Sequence, residues 1–225
     1  MRQIFEIIDA LGRPRPNGIL QVGANNGQEI EYFVRHGIQY AALIEPLDGP
    51  FSALQARCTN TPGYLPIQAL CGASDGNFVD FHISTNNGES SSMLTPAKHL
   101  VDYPWVQFPT TVNLQTFTLD RIFETIRQHR PEVANAIDLL FMDVQGAELH
   151  VLKGANRVLA KIAYIYTEVG LGGGYDGAVA LPDLIHFLKL YGFDIYELEV
   201  NAAGWGNAFF VQGDPTQTGI AQAEK

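Results

Sequence analysis

Short apolar runs alternate along this chain with segments in which apolar residues recur at helical spacing. Strands that are separated by helices of this length pair in parallel, and the connecting helices then cover the faces of the sheet. The alternation therefore predicts an α/β fold with a doubly wound, mostly parallel sheet, in which ligands lie beyond the carboxyl ends of the strands. We interpret seven apolar runs as strands: residues 19–22, 40–44, 64–70, 137–142, 162–169, 193–200 and 207–212.

Two regions lie outside this alternation. Residues 1–18 are expected to form a helix and a turn, because prolines follow the helical pattern. Apolar and polar residues alternate over residues 79–84, which indicates a half-exposed strand in a hairpin. Residues 85–115 are then expected to form an irregular insertion that could serve as a lid. Its aromatic residues Trp105 and Phe108 either form a wall of a binding site or only pack the loop onto the core.

The composition limits the classes of partner. With 14 Lys and Arg against 24 Asp and Glu, the chain carries a formal net charge of −10, and such a surface repels the phosphate backbone of nucleic acids. No run approaches the roughly 20 apolar residues of a membrane-spanning helix, and Glu6 and Asp9 interrupt the first apolar stretch, unlike a signal peptide. Two cysteines are too few for a disulfide framework. We expect a soluble, cytoplasmic protein with one domain over residues 1–225 and with neither nucleic acid nor a membrane as partner; a homodimer is compatible with the sequence.

A glycine-rich loop follows the first predicted strand. Gly23 and Gly27 enclose the sequence Ala-Asn-Asn, and glycines in such a turn let the backbone approach a ligand closely. Glu45 ends the second strand 22 residues beyond Gly23, an offset at which an acidic residue can accept hydrogen bonds from ribose hydroxyls. A nucleoside site is one interpretation, and a plain strand-to-helix turn beside a solvated carboxylate is the other.

The most specific motif begins where the strand at residues 137–142 ends. Asp143 opens the sequence DVQGAELHVLKGA, which ends at Ala155. This segment resembles the signature of the FkbM family of S-adenosylmethionine-dependent methyltransferases, whose usual wording is close to DvEGaE followed by LkGa. Further similarities, which together cover about residues 19–211, are the GANNG loop at 23–27, Glu45-Pro46, TLD at 118–120, YDG at 175–177 and GF at 192–193.

The resemblance implies a class I methyltransferase fold, a Rossmann-like sheet of seven strands with the last strand antiparallel. It also implies S-adenosylmethionine as cofactor, with Asp143 facing the methyl group and Glu45 binding the ribose. Two positions depart from the family, since Gln21 and Gln145 replace residues that are usually acidic. The expected cofactor contacts are Gln21, Gly23, Ala24, Asn25, Gly27, Glu45, Pro46, Ala69, Leu70, Ser92 and Asp143.

A hydroxyl acceptor needs a group that takes its proton. Asp143 and Glu168, each at the end of a predicted strand, are the candidate catalytic residues, and the alternative for either is a structural carboxylate that accepts N–H groups of a loop. Glu148 falls in the first turn of a helix and is expected to cap it. The six histidines show no spacing typical of a metal site, and a divalent cation held by Asp143 with other carboxylates is left open.

The family resemblance implies O-methylation of a hydroxyl on a small-molecule acceptor, such as a sugar or a secondary metabolite. N-methylation of a small molecule is the alternative reaction. A non-catalytic nucleotide-binding protein of the same fold is the alternative class, because Gln21 and Gln145 depart from the family pattern. A nicotinamide-dependent dehydrogenase is less favoured, since the chain shows neither GxGxxG nor a Tyr-xxx-Lys pair.

Overall fold

Seven strands form the central sheet of the computed structural model, which describes residues 4–213. The strands of this part of the chain are β1 (Gly18–Val22), β2 (Tyr40–Glu45), β3 (Tyr64–Gln68), β4 (Leu70–Cys71), β5 (Phe78–Ile83), β6 (Thr110–Phe117), β7 (Ile137–Met142), β8 (Tyr164–Gly170), β9 (Phe193–Val200) and β10 (Trp205–Gln212). Its helices are α1 (Ile4–Ala10), α2 (Ile30–Arg35), α3 (Asp48–Cys58), α4 (His99–Asp102), α5 (Leu119–His129), α6 (Pro131–Ala136), α7 (Glu148–Lys153), α8 (Asn156–Leu159) and α9 (Leu181–Leu190).

The central sheet has the strand order β3-β2-β1-β7-β8-β10-β9. The pairings among β3, β2, β1, β7 and β8 are parallel, and β10 is antiparallel to both of its neighbours. The predicted fold, a mostly parallel seven-stranded sheet whose last strand is antiparallel, is therefore confirmed. The strand order reverses at β1, which lies between β2 and β7, and the carboxyl ends of strands at such a point form a crevice for ligands.

Helices cover both faces of the central sheet, as the alternation predicted. Successive residues of β1 show this, because Ile19 belongs to the core that also contains residues of α1, α2 and α3, while Leu20 belongs to the core that contains residues of α5 to α9. Strands buried on both faces have to be apolar along their whole length, which is why they read as continuous apolar runs in the sequence. Among the described helices, none combines the length and the apolar character that crossing a membrane requires.

A second, three-stranded sheet lies beside the first, and it corrects the prediction for residues 85–115. Its order is β4-β6-β5, with β6 antiparallel to β5 and parallel to β4. Residues 110–115 belong to β6 and are not irregular, because Val112 and Leu114 alternate with polar residues and pack against a small core that contains Phe81. The predicted strand 64–70 is likewise divided between the two sheets, with β3 in the first and β4 in the second.

Candidate active site

A cavity of about 560 Å³ opens at the carboxyl ends of β1, β2, β7 and β8. This is the edge of the sheet at which the sequence placed the functional residues. Most of the predicted site residues line the cavity, and three do not. Those that line it are Gln21, Gly23, Asn25, Glu45, Pro46, Ala69, Leu70, Asp143 and Glu168, whereas Ala24, Gly27 and Ser92 lie outside its lining.

The glycine loop ties three strand ends together. The N–H groups of Gly23 and Ala24 both donate to the Ile44 carbonyl, at 3.0 and 2.9 Å, and the Asp143 N–H donates to the Val22 carbonyl at 3.0 Å. Gly23 has a φ of 82°, and a Cβ added there would stand 1.8 Å from the carbonyl oxygen of Asp143. Only glycine therefore allows the ends of β1 and β7 to approach so closely.

Two residues of the loop, which were predicted to contact the cofactor, have packing roles in the structure. Ala24 is fully buried in the core beneath the loop. Gly27 has a φ of 80°, and a Cβ there would lie 2.7 Å from Ile30 and 2.9 Å from Leu54. Gly27 thus lets α2 and α3 pack against the loop, and its contribution to the cavity is indirect.

Glu45 is a buried carboxyl group at the end of β2. Its two oxygens accept the N–H groups of Asn25, at 3.0 Å, and Leu47, at 2.9 Å. Only 5% of the residue is exposed, and burial raises its pKa to about 7 against the opposing effect of these hydrogen bonds. Each oxygen has further lone pairs, so the carboxylate can hold the loop and still accept hydrogen bonds from a ligand in the cavity.

Gln21 and Glu29 form a polar pair beside the glycine loop. Gln21 Nε2 donates to Glu29 Oε2 at 2.9 Å, while Gln21 Oε1 is buried without a partner among the described residues. Both side chains line the cavity. Glu29 was not among the predicted site residues. The sequence feature that could have identified it is an acidic residue close after Gly27, near the start of a helix whose inner face is apolar.

Asp143, Gln145 and Glu168 form a hydrogen-bonded group across the ends of β7 and β8. Gln145 Nε2 donates to Asp143 Oδ1 at 2.8 Å and to Glu168 Oε2 at 2.7 Å. The Tyr175 hydroxyl lies 3.1 Å from Gln145 Oε1 and 2.6 Å from the Ser90 carbonyl, both hydrogen-bond acceptors. The side-chain amide of Gln145 is thereby held between the two carboxyl groups and the tyrosine.

Asp143 and Glu168 affect each other's ionisation. Asp143 is accessible from the cavity although it lies deep within the protein, and its depth raises its pKa. Burial and the adjacent charge of Asp143 raise the pKa of Glu168 well above its ordinary value. The contact between the two carboxyl groups lowers the pKa of Asp143 and raises that of Glu168, which favours Asp143 as the member that ionises first.

Ser92 and Glu148 hold the loop that carries Gln145. The fully buried Ser92 donates its hydroxyl to the Gln145 carbonyl at 2.9 Å, which explains why it faces the loop and does not line the cavity. Gln145 itself has a left-handed φ of 53°. Glu148, in the first turn of α7, accepts the Gly146 N–H at 3.1 Å, and burial raises its pKa to about 7. Gly146 precedes the N-cap residue Ala147, so this contact holds the loop that leads into α7.

Aromatic side chains border the open part of the cavity. Trp105 lines it and is 72% exposed, whereas Phe108 is absent from the lining and contacts His99 and Tyr175 edge-on, at centroid distances of 5.5 and 6.4 Å. Each of the two alternatives therefore applies to one residue: Trp105 faces the cavity, and Phe108 packs the loop. Trp205, which the sequence analysis did not single out, also lines the cavity; a Cβ at Gly174 would stand 2.1 Å from its ring.

The ionisable side chains that line the cavity are mainly acidic. Five carboxyl side chains line it, and within the described residues no lysine or arginine does so. Residues 4–213 also contain no group of three or more His, Cys, Asp or Glu side chains arranged to hold a metal ion, so nothing in this part of the chain supports the divalent cation that the sequence left open. The carboxyl groups are those of Glu29, Glu45, Glu89, Asp143 and Glu168.

Comparisons with known proteins agree with this architecture. The family profile described as the methyltransferase FkbM domain matches residues 21–195. A relative from Sinorhizobium fredii, named 2-O-methyltransferase NoeI, is 31% identical over 195 residues, which cover 83% of this chain and 76% of the relative.

Solved structures share the fold at low sequence identity. A S-adenosylmethionine-dependent methyltransferase from Aquifex aeolicus has a TM-score of 0.50 and 9% identity, over 93% of this chain and 89% of its own. An uncharacterized protein from Listeria monocytogenes has a TM-score of 0.50 and 10% identity, over 95% of this chain and 68% of its own. The family match, which spans most of the chain, shows that this protein belongs to the FkbM family of methyltransferases and uses S-adenosylmethionine as its methyl donor.

Proposed function

We propose that this enzyme methylates a hydroxyl group of a small molecule and that Asp143 accepts the proton of that hydroxyl. The observation that carries the proposal is the group of Asp143, Gln145 and Glu168 at the cavity edge of β7 and β8. It provides one carboxylate that is accessible from the cavity and is fixed by a hydrogen bond from an amide. A general base has to combine such access with a defined position.

The cavity residues fit the cofactor. Glu45 has lone pairs left to accept hydrogen bonds from the ribose hydroxyls, and a ligand can come close to the backbone between Gly23 and Asn25. Pro46, Ala69 and Leu70 offer apolar surface at the ends of β2 and β3, which suits a nucleobase. Bound in this cavity, S-adenosylmethionine supplies a methyl group on a positively charged sulfonium.

The chain's own residues orient the acceptor and take its proton. With the cofactor bound, the Asp143 carboxylate would take the proton that the acceptor hydroxyl loses when it is methylated. Gln145 keeps that carboxylate in place, and the raised pKa of Glu168 reduces the negative charge beside it. Alignment and a proton acceptor are the two things that the protein has to contribute to this displacement.

The charge of the cavity narrows the class of acceptor. A ligand with phosphate or carboxylate groups would meet five carboxyl side chains and no lysine or arginine among the described lining residues. Burying like charges together is costly, so we infer a neutral or cationic acceptor. The relative from Sinorhizobium fredii is named a 2-O-methyltransferase, which favours a hydroxyl over other acceptor groups.

The same charge also favours N-methylation as the second candidate, because carboxylates attract an amine. Transfer of a labelled methyl group from S-adenosylmethionine separates the two reactions. The matched acceptors are a neutral sugar, its amino-sugar counterpart and its phosphorylated counterpart. We expect label on the oxygen of neutral acceptors and none on phosphorylated acceptors. Label found exclusively on amine nitrogen would contradict O-methylation, and efficient labelling of the phosphorylated acceptor would contradict the inference from charge.

A further inference from the structure

Glu29 places a carboxyl group in the cavity at a position that the family pattern does not mark. It is half-buried, it lies just before α2, and its Oε2 accepts Gln21 Nε2 at 2.9 Å. Gln21 is only 1% exposed, and its Oε1 has no partner among the described residues. Two hydrogen-bond acceptors, one of them a carboxylate, thus lie together in the cavity lining.

No cation of the described chain is paired with this carboxylate. None of the ion pairs within residues 4–213 includes Glu29, and the nearby Arg57 guanidinium donates instead to the Gly27 carbonyl at 3.2 Å. Burial raises the pKa of Glu29 and the charge of Asp143 adds to the rise, while the hydrogen bond from Gln21 and the charge of Arg57 oppose it. Because Arg57 is not hydrogen-bonded to this carboxylate, a cationic ligand in the cavity would stabilise it by direct contact.

The chemistry of this pair indicates which part of the cofactor it meets. The unpartnered Gln21 Oε1 is an acceptor that needs an N–H or O–H donor, and the Glu29 carboxylate favours a positive charge. The cofactor carries two positive charges. Its sulfonium has no hydrogen to donate, whereas the ammonium of its amino-acid part has three N–H donors.

We propose that Glu29, together with Oε1 of Gln21, forms the subsite for the ammonium group of the cofactor's amino-acid part. The inference rests on the cofactor site of the proposed function and adds to it the residue that carries the charge. Position 21 holds a neutral amide in this chain, so the negative charge comes from position 29. The amide also orients the Glu29 carboxylate by its Nε2 donor.

Calorimetric titration with two nucleosides tests the subsite. S-adenosylhomocysteine contains the amino acid, and 5′-methylthioadenosine lacks it. Glu29→Gln should weaken the binding of S-adenosylhomocysteine by about 10- to 100-fold, the range for loss of a charged hydrogen-bond partner, and leave that of 5′-methylthioadenosine within about twofold. Glu31→Gln, an exposed change of the same kind on α2, should alter neither affinity.

Exchange of the two side chains provides the rescue. The double variant Gln21→Glu with Glu29→Gln returns one carboxylate and one amide to the pair, and we expect it to recover most of the lost affinity. The proposal is overturned if Glu29→Gln leaves the affinity for S-adenosylhomocysteine unchanged, or if it weakens both nucleosides equally, as a purely structural residue would. Failure of the wild-type protein to bind either nucleoside would overturn the cofactor site itself, and the subsite with it.

Discussion

At the scale of single residues, several carboxyl groups in or near the cavity are unusual for their surroundings. Glu45 and Glu148 are at most 5% exposed, and backbone N–H groups donate to them. Asp143 and Glu168 accept hydrogen bonds from the amide of Gln145. Within the described residues no lysine or arginine lines the cavity, so its carboxyl groups favour a cationic ligand, and the sulfonium and ammonium of S-adenosylmethionine are such charges.

The pKa of Glu45, about 7, predicts that cofactor affinity depends on pH. Ribose hydroxyls donate hydrogen bonds to the ionised carboxylate, so affinity should fall as the pH drops below this value, by up to about tenfold per pH unit. Glu45→Gln should bind the cofactor more weakly, by about 1.5 to 3 kcal/mol near pH 8, and should lose this part of the pH dependence. Titration calorimetry on both proteins measures it; an unchanged pH profile in the variant would show that Glu45 does not contact the ribose.

The raised pKa of Glu148 predicts a pH-dependent stability. Its folded-state pKa is about 7 against an ordinary value of 4.5, so between these values the folded protein holds a proton that the unfolded chain has released. The free energy of unfolding should therefore fall as the pH rises through this window, by up to about 3 kcal/mol from this group.

Glu148→Gln removes this effect, because the amide is neutral at every pH and can still accept the Gly146 N–H. From about pH 5 to about pH 8, the stability difference between the two proteins should shift in favour of the variant. Urea denaturation at both pH values measures it. A difference that is the same at both values would show that Glu148 is ionised throughout.

Residue patterns in the sequence identified the site residues whose positions follow from regular spacing, and missed those whose roles depend on side-chain contacts. Glu45 was found because its offset from Gly23 reflects the fixed length of a strand–helix–strand unit. Glu29 was missed, and Gln145 was read only as a departure from the family, because their roles depend on side-chain contacts. Gln145 contacts Glu168 from a backbone with a left-handed φ of 53°, and residue spacing in the sequence reveals neither feature.

At the scale of elements, the second sheet was the part of the fold least accessible from the sequence. The strand at 79–84 was predicted correctly in type, but its partner β6 begins at Thr110, after a long intervening segment. A turn signal near a strand predicts a local hairpin, whereas this pairing is set by the shared core around Phe81. The segment between β5 and β6 brings Trp105 to the cavity.

The structure predicts different roles for the two aromatic residues of that segment. Trp105→Ala should change the free energy of unfolding by less than about 0.5 kcal/mol, because the side chain is 72% exposed, and should raise KM for the acceptor while leaving cofactor affinity unchanged. Phe108→Ala should cost about 1 to 3 kcal/mol of stability, since it removes contacts with His99 and Tyr175. Denaturation and steady-state kinetics on both variants measure this, and equal losses of stability would contradict the division of roles.

At the scale of the whole molecule, the layered α/β fold follows from the alternation of strands and helices, and this part was predictable. The order of the strands was not, because β1 lies between β2 and β7, which are far apart in sequence. Only the resemblance to a known family supplied the seven-stranded arrangement with an antiparallel last strand. That arrangement brings the ends of β1, β2, β7 and β8 to one cavity, and so joins the cofactor loop to Asp143.

The most direct test of the account compares rate and cofactor affinity in Asp143→Asn, which keeps the size of the side chain and removes its charge. If Asp143 is the proton acceptor, methyl transfer to a hydroxyl acceptor should fall by about 10²- to 10⁴-fold while the affinity for S-adenosylmethionine stays within about threefold. Asp183→Asn, an exposed change of the same kind on α9, should transfer methyl at the wild-type rate. A normal rate in Asp143→Asn would contradict the account and would make Glu168 the residue to test.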